Sequence, residues 1–405
     1  LIVYIQVGGS LSGLLHAIVF KHLGHNVHVL ERSPQYLLRS QAAGLRAGPD
    51  VSKFIDKYVK LDESNSMWMA SQLLETVDVD GGVISSFPPT DVMLLTTWSL
   101  LYDLLKTNLL KVEATLPVTY ETGKIVRDVK YHGNEITVAY SDATTKISNV
   151  LRADLVIAAD GGHSTVRTTV LPDLRPKYAG FVTWRGVVPE TSVPEATRQA
   201  LRKKTLMFRT ATGYTVSYYV PSETGSVEPG DCQFIWIWYE KLEENTKEFQ
   251  ETFTDVDSQK HFTTIPRGKV SPKVWERKRE LGTALSKPFS ELIQKTTSPF
   301  VSAIRDCSSA NAVFHDGKLV LVGDAFSLFR PHAAMSLNQA SKQALGLAEV
   351  FQGKTTLQEW EEKSIHYAKA TNALSNGYGE YCFTGKVPTS LSNVNSKIKP
   401  GEQAK

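Results

Sequence analysis

Cysteine is scarce in this chain. The three present, Cys232, Cys307 and Cys382, lie far apart and share no metal-ligand spacing. A disulfide framework or a zinc site needs more cysteines or closer ones, so a reducing, cytoplasmic setting is expected. A dominant charge is missing too. The 45 basic residues are scattered and face 42 acidic ones, a formal net charge of +3. That gives no case for a nucleic-acid partner. No apolar run approaches the ~18 residues of a membrane span. The chain opens directly on a strand-like run, and no secretory signal pattern is visible there. What is abundant is apolar material, 41% of 405 residues. That is enough for a large buried core and, by length, for about two or three domains.

Residues 1–7 (LIVYIQV) are continuously apolar, as a strand buried on both faces should be. The turn Gly8-Gly9-Ser10-Leu11-Ser12-Gly13 follows. Apolar residues then recur at helical spacing from Leu14 to Leu23, with Gly24 as C-cap. "NVHVLER" supplies a second strand ending at Glu31, at the distance expected for a ribose-binding acid. In such a turn the first glycine makes the bend, and the second lets backbone approach a pyrophosphate. The third lets helix pack on strand, while the helix N-terminus offers N–H donors. Here Ser10 occupies the middle position. Serine is small and fits if its φ stays negative.

Further along, 73–87 reads as a hairpin around Asp80-Gly81-Gly82, 98–110 as a helix and 134–140 as a half-buried strand. "ADLVIAADG" (153–161) is a buried strand ending in Asp-Gly, and the stretch Ala159 to Arg167 continues into a polar helix start. A carboxylate there suits a site beside a dinucleotide, and it equally suits plain helix capping. From about 178 to 240, Tyr, Trp, Thr and Val give antiparallel-sheet chemistry. Along 213–220, Tyr214, Val216 and Tyr218 share one face, with Thr215, Ser217 and Tyr219 on the other. "KLVLVGDAF" (318–326) returns to a buried strand and ends in Gly323-Asp324, which could accept hydrogen bonds from sugar-like hydroxyls. Helices are expected over 337–352 and 356–376, and a polar, disordered tail from about 386.

Taken together, the glycine turn, the Asp-Gly stretch near 160 and the Gly-Asp stretch near 323 resemble the FAD-dependent aromatic monooxygenases of the p-hydroxybenzoate hydroxylase fold. The stretches "GGSLSGL", "YAGFVTWRGVVPE", "FIWIWY" and "GDAFSLFRPH" are most similar to the 2,6-dihydroxypyridine 3-monooxygenase-type subfamily, where serine at the middle position is usual. The resemblance covers about residues 1–376 and implies an α/β fold: a Rossmann-like FAD-binding domain, a mostly antiparallel β-sheet substrate domain and C-terminal helices. The corresponding segments are 1–70, 95–176 and 300–352 for FAD, 71–94 and 177–299 for substrate, and 353–405 for the C-terminal helix and tail.

The resemblance also implies roles. Gly8, Gly9, Ser10, Leu11 and Ser12 would surround the FAD pyrophosphate. Glu31 would hold the adenosine ribose, with Arg32 beside it and Arg39 reaching the pyrophosphate or ribityl chain. Trp98 would stand near the cofactor, where relatives often carry arginine. Asp160 would lie near the flavin and help a transient NAD(P)H, and Asp324 would hold the ribityl hydroxyls. The turn from Pro331 through Ala334, Met335 and Ser336 to Leu337 would pass along the flavin ring. Relatives often have glycine at Ala333 and Ser336 and aspartate at Gln343. Only one glycine fingerprint exists, which fits one tightly but non-covalently bound dinucleotide, with NAD(P)H visiting.

The implied activity is hydroxylation of an electron-rich aromatic or heteroaromatic small molecule by NAD(P)H and O₂ through a flavin C4a-hydroperoxide. His332, next to Pro331, is the titratable candidate on the flavin turn, as a donor or as a base near neutral pH. Tyr218, Trp238 and Arg185 are candidates for the substrate wall, Arg185 for an anionic group. Alternatives are an epoxidase or Baeyer–Villiger oxygenase on the same scaffold, or a non-catalytic FAD-binding redox sensor. Halogenation is disfavoured, because Tyr239-Glu240 follows Trp238 where a halogenase signature has a residue and then Ile-Pro. A homodimer is compatible with this reading.

Overall fold

The computed structural model describes residues 2–34, 44–61, 67–89, 92–111 and 116–388. Two sheets organise it. The first has six strands in the order Val313–Phe314, Leu319–Leu321, Leu155–Ala158, Val3–Val7, Asn26–Leu30 and Val118–Glu121. All its pairings are parallel except the one made by Val313–Phe314. Parallel strands need crossovers that lay helices on the sheet faces, so the central strands Val3–Val7, Leu155–Ala158 and Leu319–Leu321 are buried almost throughout.

The helix Leu11–His22 is the first crossover. It starts three residues earlier than its apolar spacing suggests, because Leu11, Ser12 and Gly13 already form its first turn. Gly24 follows it with φ +77°, just past the cap residue Leu23. The His25 N–H then reaches the Phe20 carbonyl and the Gly24 N–H the Lys21 carbonyl, a double closure that needs a left-handed residue. The helix packs between Ser336–Phe351 and Trp98–Leu110.

The second sheet runs Thr264–Ile265, Phe300–Ser308, Lys177–Pro189, Gln233–Lys241, Gly213–Val220, Lys204–Arg209, Leu73–Val77 and Val83–Phe87, with Ser327–Leu328 added on Phe300–Ser308. Its pairs are antiparallel apart from Lys204–Arg209 with Leu73–Val77. The 73–87 hairpin forms as its turn residues require: Gly81 sits at φ +88°, and the Asp78 carboxylate accepts from the Asp80 and Gly82 N–H groups.

One face of this sheet is a core of its own. Trp236 is wholly buried there and donates from Nε1 to Thr296 Oγ1 at 2.8 Å. Beside it lie Trp184, Trp238, Phe234 and Phe289, under the helices Pro272–Leu281 and Lys287–Lys295. Truncating Trp236 to alanine would cost on the order of 3–5 kcal/mol. The opposite face meets the last helix, Leu357–Thr384, which begins at a Thr356/Glu359 capping box. That helix runs eight residues beyond the expected end at 376 and stops only at Gly385, φ +73°. Two smaller, three-stranded sheets complete the described fold: Ser148–Ala153, Ile136–Asp142 and Lys124–Tyr131, and a second of Gly44–Ala47, Met93–Thr97 and Met69–Ser71, which was not foreseen.

The three cysteines are buried and free. No helix among the described residues is long and apolar enough to cross a membrane.

Candidate active site

The first segment of the site is the glycine turn. Gly8 has φ +94°, and a Cβ there would run into the Ala159 carbonyl. A Cβ on Gly13 would strike the Gly8 carbonyl. Ser10 caps the helix at φ −81°, ψ −170°, so the serine is accommodated without strain. Its hydroxyl makes no capping bond. Leu11 is the first helical residue and is buried, and the Ser12 hydroxyl is buried without a partner. Free N–H groups, two uncommitted hydroxyls and the positive end of a helix therefore converge at one point.

Glu31 directly follows the next strand, Asn26–Leu30. Its carboxylate accepts from the Gly9 N–H and the Ser33 N–H, each at 2.7 Å. A cavity of about 220 Å³ opens here. Gly8, Ser10, Glu31, Arg32 and Asp160 line it, so five of the expected residues share one space. Lys124, Val126 and Thr165 line it too. Sequence reasoning missed Lys124 and Val126, because Lys124–Tyr131 carries only a strand pattern, whereas Thr165 stood in the stretch Ala159 to Arg167 with no role of its own. Arg39 lies outside the described residues.

Asp160 is half-buried and accepts from the Ser164 hydroxyl at 2.5 Å and the Val166 N–H at 3.1 Å. Burial pushes its pKa up, and these hydrogen bonds pull the other way. It therefore both borders the cavity and braces the start of Thr165–Val170, whose cap is Ser164.

The Gly323-Asp324 turn is the third segment. Burial raises the Asp324 carboxyl to about 6, against a hydrogen bond from Ser336. Two glutamines on Ser336–Phe351 clasp the turn: Gln343 Oε1 accepts from the Gly323 N–H at 2.8 Å, and Gln339 donates to the Gly323 carbonyl at 3.2 Å. Gln343, flagged as a departure from relatives, thus holds the backbone beside Asp324. Pro331 and His332 sit in a 3₁₀ turn, which closes on Ala334 at φ +52°, ψ +43°. Met335 caps the helix that Ser336 begins.

Contacts between the three segments join them into one site. Gly8 lies against Ala159, and Gly323 lies against Ser12. The Arg167 guanidinium, 1% exposed, donates to the Gly162 carbonyl on one side and to the Ala325 carbonyl on the other. Arg167 stood in the quoted stretch with no role assigned. Trp98 opens the helix Trp98–Leu110 and stacks on Tyr102 at 4.8 Å. Tyr102 Oη lies 3.0 Å from Tyr120 Oη, which donates to the Gly9 carbonyl at 2.8 Å. Trp98 thus reaches the glycine turn through two tyrosines.

On the second sheet, register sorts the substrate candidates. Tyr214 pairs with Tyr239 and that with Thr183; Val216 with Ile237 and Arg185; Tyr218 with Ile235 and Val187. These share the face under the last helix. Trp238 pairs with Thr215 and Trp184 on the other face, beneath Lys278, whose ammonium sits 3.3 Å from the indole centroid. Placing Trp238 in one wall with Tyr218 is therefore corrected. Side chains alternate along a strand, and only the cross-strand register shows which alternation matches which.

His332 lies on the Tyr218 face. Its Nδ1 is 2.6 Å from Tyr214 Oη, and Tyr214 stacks on Tyr239 at 4.3 Å. Phe181 and Phe383 complete the surround, and a Cβ at Gly379 would strike the imidazole. Burial, with Arg330 adding to it, pushes His332 down to about 3, so the ring is neutral near pH 7.

A phosphate-receptive helix start, an acid poised behind it and a second acidic turn in contact with the first fit an extended dinucleotide such as FAD. The comparisons agree. A family model described as FAD binding domain-like matches residues 178–306. A 2,6-dihydroxypyridine 3-monooxygenase from Paenarthrobacter nicotinovorans is 30% identical over 369 residues, 90% of this chain and 87% of that one. A 6-hydroxynicotinate 3-monooxygenase from Pseudomonas fluorescens is 28% identical over 46% of this chain and 48% of its own. The solved structure of 2,6-dihydroxypyridine-3-hydroxylase from Arthrobacter nicotinovorans superposes with a TM-score of 0.82 at 29% identity, covering 94% of this chain and 93% of that one. A salicylate hydroxylase substrate complex, 17% identical with a TM-score of 0.69 over 96% and 92% of the two chains, shares the fold. By both measures the chain belongs to the FAD-dependent aromatic monooxygenases of the p-hydroxybenzoate hydroxylase fold, and among them to the 2,6-dihydroxypyridine 3-monooxygenase-like branch.

Proposed function

We propose that the protein uses NAD(P)H and O₂ to hydroxylate a small, electron-rich hydroxylated heteroarene. The observation carrying this reading is the mutual contact of the Gly8–Gly13, Asp160–Arg167 and Gly323–Ser336 segments next to a tyrosine-lined sheet face. Bound FAD supplies reduction by NAD(P)H and activation of O₂; the cofactor carries that chemistry. The residues have separate tasks. Ser10, Ser12 and the helix N-terminus hold the pyrophosphate, Glu31 and Arg32 the adenosine end, and Asp324 the ribityl hydroxyls. The turn Pro331–Ser336 supports the ring system, and Trp98 acts through Tyr102 and Tyr120 on the glycine turn.

The sheet face, closed by Leu357–Thr384, keeps bulk water from the reacting ring. A histidine held near a pKa of 3 is a poor base at neutral pH, so His332 acts as a neutral hydrogen-bonding group that positions Tyr214. Tyr218 and Arg185 face the substrate.

The test is NAD(P)H oxidation stimulated by hydroxylated pyridines or phenols, with products read by mass. A substrate-dependent gain of one oxygen is expected. Oxidation of NAD(P)H that no arene stimulates would overturn the proposal, as would purified protein that takes up no FAD.

A further inference from the structure

The turn that closes on Ala334 is held from outside by one hydroxyl. Ser375 lies wholly buried in the last helix. Its Oγ donates to the Arg330 carbonyl at 2.7 Å and accepts from the Ala333 N–H at 3.4 Å. These two backbone groups bracket Pro331 and His332. Among the described residues, no other side chain bonds the backbone from Arg330 to Ala333. A serine inside a helix has the alternative of bonding its own helix one turn back, as Thr384 does to the Glu380 carbonyl at 2.8 Å. Ser375 donates to the turn instead. The turn needs such a hold, because it ends in a left-handed residue that is not glycine. A conformation of that kind persists only where its surroundings over-determine it.

The last helix meets the same segment at two further points. One turn beyond Ser375, Gly379 makes room for the His332 imidazole, which a Cβ there would strike. Three residues before Ser375, Asn372 Nδ2 donates to Ser327 Oγ at 3.3 Å. The C-terminal end of the helix is fastened to the large sheet. Arg209 Nε donates to the Cys382 carbonyl at 3.0 Å, and Phe383 packs edge-on against Tyr214 with ring centroids 5.3 Å apart. From Ser375 to Cys382 is about 10 Å along the axis. One helix thus carries the flavin-facing turn on its middle and grips the tyrosine-lined sheet with its end.

We infer that the last helix, through Ser375 and Gly379, sets the flavin-facing turn against the sheet, and that Ser375 is a positioning residue for the hydroxylation. It acts through the Pro331–Ala333 backbone, which fixes the imidazole against Tyr214. This rests on the aromatic hydroxylase reading above and adds the element that aligns its two halves. Without the hydroxyl the flavin is still reduced, but less oxygen reaches the arene. NAD(P)H, a proton and O₂ then give NAD(P)⁺ and hydrogen peroxide.

The experiment compares FAD-loaded wild type with Ser375→Ala, Gly379→Ala and Thr356→Ala. The last removes the capping box of the same helix about five turns away, so it weakens the helix without touching the turn. Coupling is read as product and peroxide formed per NAD(P)H, with the hydroxylated pyridine that stimulates oxidation most. Ser375→Ala and Gly379→Ala should each lower product per NAD(P)H at least about threefold, a modest part of what an ångström of misplacement costs. Thr356→Ala should lower the unfolding midpoint and leave coupling unchanged.

A second readout needs no turnover. The His332 imidazole faces Tyr214 and Tyr239 from the sheet, Phe383 from the last helix and Arg330 from its own turn. With its pKa held at about 3, about 1% of it is protonated at pH 5. In oxidised, FAD-loaded enzyme with ¹⁵N-labelled histidine, the signal lost in His332→Phe identifies this ring. Ser375→Ala should raise its protonated fraction at pH 5 at least about tenfold, as the loosened turn lets water reach it.

Full coupling in Ser375→Ala overturns the inference, and so does an equal loss in Thr356→Ala. A His332 signal unmoved by Ser375→Ala overturns it as well. If Ser375→Ala does not fold, full coupling in Gly379→Ala has the same force. Failure of every arene to stimulate NAD(P)H use sinks the functional reading, and the histidine signal still decides whether Ser375 holds the turn.

Discussion

The Arg167 guanidinium donates to the Ala325 carbonyl at 3.0 Å and so fastens the start of Thr165–Val170 to the Gly323–Phe326 turn. With its second bond to Gly162, one side chain joins two of the three segments assigned to FAD. Arg167→Met should leave two or three carbonyls without their donor, at a cost of about 2–4 kcal/mol of stability. FAD affinity should fall with it. Denaturant unfolding and flavin fluorescence titration measure the two effects. Normal FAD affinity in a destabilised protein would remove Arg167 from the cofactor site.

Asp324 should stabilise the complex and destabilise the FAD-free protein. Its carboxyl is raised from 3.8 to about 6 by burial, so the folded state binds its proton more tightly than the unfolded state. That contribution is fully present below pH 3.8 and is lost as pH rises through 6. By pH 7 the charged carboxylate costs the FAD-free protein about 3 kcal/mol. Asp324→Asn should therefore raise FAD-free stability at pH 7, lose that advantage near pH 4, and bind FAD at least about tenfold more weakly. Melting curves at the two pH values check the sign. An equal stability change at both would contradict it.

His332 has the opposite slope. Its pKa falls from 6.5 to about 3, so its contribution is intact above pH 6.5 and is lost as pH falls toward 3. The slope reaches at most about 1.4 kcal/mol per pH unit. Buried His16, lowered to about 4, adds a term of the same sign, so the comparison must be with a variant. His332→Phe should flatten the acid side of the stability profile between pH 6.5 and 4. His332→Ala should lower product formed per NAD(P)H consumed while flavin content holds. Unchanged coupling would confine His332 to packing.

Ala334 occupies a left-handed conformation at φ +52° without being glycine. The left-handed region costs a residue with a Cβ roughly 1 kcal/mol, partly offset by glycine's greater freedom when unfolded. Ala334→Gly should match or exceed the parent by up to about 1 kcal/mol, and Ala334→Val should lose about 1–2 kcal/mol. Unfolding midpoints give the order. Valine equal to alanine would show that this turn relaxes.

The turns proposed to hold FAD were legible as turns because their signals are local. Gly8, Ser10, Asp160 and Asp324 each sit at the end of an apolar strand, where a turn, a cap or a close approach restricts residue type. The contacts between these turns were not legible: Arg167 reaches Ala325 across 158 positions, and Tyr120 reaches Gly9 across 111. No periodicity encodes such distances. The sheet was legible by composition and by the alternation of Tyr214, Val216 and Tyr218. The side taken by Trp238 was not, because it depends on a register set by partner strands. The last helix outran its expected end because Asn376-Gly377 and Gly379 look like breakers, while the buried faces of Gly377 and Gly379 suit close packing, Gly379 against His332.

The most direct test is a crystal structure of the protein with FAD. The coenzyme is expected to lie lengthwise from the Glu31–Arg32 end of the cavity, over the Gly8–Ser12 turn, to Asp324, with its ring system beside Pro331–Ser336 and the Tyr218 face. Ordered FAD whose ribityl chain and ring lie away from Asp324 and that turn would contradict the account.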